Sequence, residues 1–250
     1  MLIDNNLLCL HKTNEFNTRI INYFYNRLKM FLLLDYRVKN PIICFTTNKK
    51  IINTYFKGAA NGNIVAFYDH TTFTIVVNAN KYIYNKNHIY YKQDFIRNIP
   101  DNIINLKPKF IMPLQDIYHE LIHHVQFCCN NYKYPDILEG TAELFAIMIT
   151  GQLNMVYVRE SIALWYIARK IFKMNIHEFY GFIANAILDP IYLIDLITSK
   201  KQINNIIQNK YKGNMKVFLN NIKKEFYSQK YYSIMINDLN KIHNMVFYKY

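Results

Sequence analysis

HELIHH, residues His119 to His124, sets two histidines one helical turn apart with a glutamate beside the first. On a wheel of about 100° per residue, Leu114, Ile117, Leu121, Val125 and Cys128 form a narrow apolar stripe, an ordinary core face. His119 and His123 fall together on the opposite side with Gln126 beside them, and Glu120 lies on the flank. The spacing predicts a helix over 114–128 that packs by one face and presents two imidazoles on the other. His124 turns towards the core side, where a histidine satisfied by a buried partner is the expected role.

Two imidazoles at i and i+4 can reach one ion at about 2.0–2.1 Å from nitrogen, with the helix fixing the angle. A glutamate next to the first is off the metal axis. It can hold a water in the fourth position and take its proton as that water attacks a carbonyl. His119-Glu120-Leu121-Ile122-His123 is therefore the H-E-x-x-H pattern of zinc hydrolases. The chance of a random match in a chain of this composition is about one in a hundred. Five residues do not make a site, and a third ligand decides.

Leu138-Glu139-Gly140-Thr141-Ala142-Glu143 follows after the short link CCNNYKYPD. Glu139 and Glu143 are again i and i+4 on an expected helix, so they point the same way. One of them can ligate the ion while the other bonds the remaining nitrogen of a ligating histidine. Gly140 inside a helix costs about 1 kcal/mol against alanine, which signals a steric need. With Thr141 and Ala142 it would let the two helices approach closely. The alternative involves no metal: Asp136 as an N-cap, with Glu139 completing a weak capping box. A histidine-completed site, H-E-x-x-H-x-x-G-x-x-H, is excluded because Gln126 and Cys129 occupy its last two positions. Cys128 or Cys129 remain as other ligand choices, although a buried apolar role suits Cys128 better.

HELIHHVQ followed by ILEGTAELFA resembles the gluzincin metallopeptidases, above all their compact peptidase MA-like or minigluzincin type. There a helix bearing HExxH is followed by one bearing E-G-x-A-E or E-x-x-x-D. The resemblance is tight over about 119–146 and loose elsewhere. It implies one Zn²⁺ per chain held by His119, His123 and Glu139. It implies Glu120 as general base, and Glu143 as a supporting partner of a histidine ligand, His119 above all. It also implies a zincin-like α+β fold, in which an edge strand of a small mixed sheet pairs with an extended peptide substrate.

The rest of the chain accommodates that fold. Residues 14–34 carry helical spacing at Phe16, Ile20, Phe24, Leu28 and Leu32. PIICFTT at 41–47 reads as a strand, and 64–78 as a hairpin turning at Asp69-His70-Thr71-Thr72. In the hairpin's second strand Phe73, Ile75 and Val77 share one face. Residues 81–91 read as a further strand or a loop, and Pro100, Pro108 and Pro113 mark irregular chain. From Pro113 onward helices are expected at 114–128, 137–153, 159–173 and beyond. The organisation is a single domain, sheet-bearing over about 1–110 and helical over about 111–250.

Composition narrows the setting. Hydrophobic residues make up 52% and leave no case for disorder, while 22 Tyr and 17 Phe beside six Gly and six Pro suggest an AT-rich genome, such as that of a parasite, a symbiont or a large DNA virus. Thirty basic against 17 acidic residues give +13, but the lysines are scattered, and AT-rich coding raises lysine by itself. A nucleic-acid partner is the lesser alternative. Four cysteines form no disulfide framework, the start has no basic n-region, and 144–158 is too short and polar to span a bilayer. An intracellular, cytoplasmic protein is expected.

The expectation is a zinc-dependent peptidase in which Glu120 activates a metal-bound water against a peptide carbonyl. The developing oxyanion needs a donor. Tyr166, His177 and Tyr180 are candidates, each more readily read as packing. His70 and His88 read as solvent-facing loop residues. The rivals are a catalytically inactive zincin-fold binding protein and a basic nucleic-acid-associated protein. Retention of Glu120 argues against the first, because structural zinc has no use for that carboxylate.

Overall fold

Strand β1 (Ile42–Thr46) lies parallel to β3 (Thr74–Asn78), and β2 (Ala66–Asp69) lies antiparallel to β3, giving the order β1-β3-β2. These strands come from a computed structural model of the chain, which describes residues 25–26, 28–30, 32, 38, 41–46, 49–55, 66–78, 114–129, 135–150, 157–225 and 228–248. Phe16, Ile20, Phe24, His88, the 81–91 segment and the three prolines after it lie outside the described residues. The fold is α+β, a small mixed sheet with a largely helical remainder.

Helix α1 (Lys49–Tyr55) follows β1. The long helix α2 is Leu114–Cys128, as its apolar period predicts, and α3 is Pro135–Thr150. After α4 (Val158–Tyr166) the chain runs straight into a π-helical turn, Ile167–Ile171, marked by the Phe172 N–H bonding Ile167 O five residues back. Then come α5 (Ile176–Leu188), α6 (Pro190–Ser199), α7 (Lys201–Tyr211), α8 (Met215–Glu225) and α9 (Gln229–Tyr248). Their joints carry ordinary punctuation. Asn175 and Glu178 form a full capping box on α5, and Asp189 caps α6 ahead of Pro190.

The chain divides into two compact units: 1–124 with 152–154, and 125–151 with 155–250. The division falls inside α2, between His124 and Val125.

In the first unit β3 is the central described strand, and Ile75, Val76 and Val77 are all buried. Both faces of that strand are covered, so the expected two-face alternation is lost in burial. The hairpin turn occupies residues 70–73, where Asp69 accepts bonds from the Thr71 N–H and from the hydroxyls of Thr71 and Thr72. Phe73 closes this turn at φ 54° instead of joining Ile75 and Val77 on a strand face. Leu28 and Leu32 are buried, as their helical spacing predicts.

The core of the second unit is helical. Every residue from Gly140 to Thr150 of α3 is buried, so this stretch is covered on all sides, polar Thr141, Glu143 and Thr150 included. Gly140 answers to the steric need read from the sequence, but its neighbour differs from the expected one. A Cβ there would meet Leu164 Cδ1 at 2.8 Å and the Glu160 carbonyl carbon at 3.0 Å, so the glycine seats α3 against α4. Asp136 is the second residue of α3 as described.

Candidate metal centre

Burial on α2 is broader than a single stripe. Ile117, Tyr118, Leu121, Ile122 and Val125 are inaccessible, and so are His124 and Gln126. The least buried arc carries Asp116, Glu120, His123 and Phe127, with the buried His119 at its edge. The two imidazoles thus do not both face solvent. One is buried and one is half-buried.

Their Nε2 atoms face each other at 3.0 Å, with the rings 84° apart in orientation. Two neutral imidazoles arranged this way share at most one proton, and a cation in its place can take both lone pairs. Tetrahedral zinc with nitrogens at about 2.0–2.1 Å sets two such ligands about 3.3 Å apart. The observed separation is close to that. Glu139 supplies the third atom: one ligand atom from each of His119, His123 and Glu139 lies within 4.8 Å of the others. This His/His/Glu group can hold a metal ion. Two nitrogens and one carboxylate are a donor set that suits a borderline cation, and three protein ligands leave a fourth position open.

The surroundings sort the remaining candidates. Glu120 is half-buried on the same arc as His123. Glu143 is buried one turn along α3 from Glu139. His124 accepts or donates a 2.9 Å bond with the Tyr68 hydroxyl and has the rings of Tyr68 and Phe73 edge-on to it, the satisfied structural histidine that its wheel position predicts. His70 is exposed in the hairpin turn. Cys128 and Cys129 are in no disulfide and are only half-buried at the end of α2. Neither joins the His/His/Glu group.

The three oxyanion candidates separate on packing. Tyr180 stacks on Phe145, a core residue of α3, and burial pushes its phenol up to about 12. Tyr166 meets the Tyr231 ring edge-on, and burial, then Tyr231 and Glu225, raise its phenol above the ordinary value. His177 is exposed on the first turn of α5. Packing accounts for both tyrosines, while the packing expected of His177 is not observed.

Gln126 has a role that sequence reading missed, having used it only to exclude a histidine-completed site. Fully buried, its Nε2 donates to Leu138 O at 3.2 Å and to Thr141 Oγ1 at 2.9 Å, which ties the end of α2 to α3. The available signal was its position beside the histidine pair on the wheel.

Comparison with known proteins finds no matching family, no similar curated protein and no solved structure that matches the chain. Among the described residues, no helix is long and apolar enough to cross a membrane.

Proposed function

We propose that this chain is a zinc-dependent peptidase of the gluzincin kind, with a zincin-like arrangement of its sheet and helices. The observation that carries the reading is the convergence of His119, His123 and Glu139 on one point, with Glu120 next to the first ligand on the same helix. A bound zinc ion supplies Lewis acidity towards a carbonyl oxygen. Glu120 supplies the base: its half-buried carboxylate takes a proton from an attacking water and returns it to the leaving amine. Glu143, buried on the same face of α3 as Glu139, is assigned the support of a histidine ligand.

An extended peptide lying along the hairpin of β2 and β3 is the substrate geometry that this reading implies. Tyr68 of β2 bonds His124, the neighbour of His123, so strand and metal-bearing turn belong to one packed assembly within the first unit.

The test is Glu120→Gln. The variant is expected to retain metal and to lose hydrolysis of unstructured protein substrates by about 10²–10⁴-fold, the usual worth of a general base. Undiminished hydrolysis in the metal-loaded variant would remove Glu120 from the mechanism.

A further inference from the structure

We propose that Gln126 is a positioning residue for the metal centre: its carboxamide holds the turn of α3 that presents Glu139 to the two imidazoles. The inference rests on the metal reading above and adds what sets the third ligand. The Gln126 Nε2 bonds fall on both sides of Glu139, one on Leu138 O and one on Thr141 Oγ1. The Thr141 hydroxyl in turn donates a hydrogen bond to Ile137 O at 2.7 Å. Gly140, the residue after Glu139, sits hard against Glu160 and Leu164 of α4. Residues 137, 138, 140 and 141 are thus all engaged around Glu139.

The demand for such a clamp follows from helix geometry. A slip of one residue along α3 moves Glu139 by about 1.5 Å and turns it by about 100°. A preorganised ligand tolerates roughly 0.5 Å. Gln126 stands three residues after His123 on the same helix, and both of its bonds to α3 lie within the second unit. A carboxamide fits the task because its NH₂ offers two donors at once to a carbonyl and a hydroxyl. With the side chain fully buried, water does not compete for either.

Zn²⁺ affinity, measured on the purified full chain by competition with a chromophoric chelator, tests this. Co²⁺ absorption serves as a second readout of the ligand set. Gln126→Met keeps the volume without the donors, and is expected to weaken Zn²⁺ binding by about 10–100-fold. In a Glu139→Gln background the same change should cost nothing further, because Gln126 acts through Glu139. Thr141→Val, which removes an acceptor of Gln126, should weaken binding in the same direction. Thr141→Ser should restore it, and either variant carries the test if Gln126→Met does not fold.

Unchanged affinity in Gln126→Met, or an equal loss with and without Glu139, would overturn the proposal while leaving the metal centre in place. A wild-type chain that takes up neither Zn²⁺ nor Co²⁺ would overturn both.

Discussion

Two clusters of polar groups, one around Asp238 and one around His119, answer different demands. In the C-terminal helices, Asp238 of α9 is buried and fully answered: one carboxylate oxygen accepts from Trp165 Nε1 at 3.0 Å and from Arg169 Nε at 2.8 Å. Arg169 also donates through Nη1 to Met174 O, just beyond the π-helical turn that carries it. Donors and acceptors balance there, as a structural network requires. On α2 and α3 the gathering is of another kind. His119 and His123 aim the same nitrogen at each other, with a Glu139 oxygen close by. Two imidazole nitrogens and a carboxylate oxygen gathered within 4.8 Å make a donor set that suits a cation. The contrast teaches that burial of a polar group does not by itself reveal function; the chemistry of the groups gathered around it does.

The comparison can be broken from the structural side. Asp238→Ala leaves a buried indole N–H and a half-buried guanidinium without their acceptor, and should destabilise the chain by about 3 kcal/mol, read from denaturant midpoints at constant slope. Its metal content should be unchanged. Loss of metal in a still-folded Asp238→Ala would mean that the two settings are coupled.

Gly140→Ala pits two effects against each other. Better helix propensity contributes about 1 kcal/mol, while overpacking against Leu164 and the Glu160 backbone costs about 1–3 kcal/mol. The contact at the Glu160 carbonyl carbon is backbone and cannot swing away, so a net loss of about 1 kcal/mol in thermal or denaturant unfolding is expected. A stabilised variant would show that the approach of α3 to α4 is looser than 2.8–3.0 Å implies.

Tyr68→Phe is expected to cost no more than Gly140→Ala. It removes one buried hydroxyl from His124 and should cost about 1 kcal/mol, without changing metal stoichiometry. This sharpens the difference between neighbours: His123 belongs to the site and His124 to the packing. A metal content that falls with Tyr68→Phe would join them.

The elements nearest the chemistry were legible because their signals are local. Pro113 and the stripe Ile117, Leu121 and Val125 bound α2 to the residue, and the turn chemistry of Asp69 to Thr72 placed the hairpin. The pairing of His119 and His123 follows from helical periodicity alone. What stayed hidden depends on partners distant in sequence. The hydroxyl that satisfies His124 lies 56 residues earlier, on Tyr68. Gly140 announces a close approach without naming α4 as the neighbour, and Gln126 announces only polarity. The wheel also overstated exposure, since periodicity cannot tell that elements cover α2 on more than one side and bury His119.

Metal content tests the central claim most directly. Purified full-length chain, refolded or expressed with zinc and freed of loose metal by gel filtration, should carry about one zinc per chain by elemental analysis. His119→Ala and Glu139→Ala should each carry far less while keeping the helical circular dichroism of the wild type. A wild-type chain without stoichiometric metal, or a Glu139→Ala chain that holds zinc as tightly as the wild type, would contradict the account.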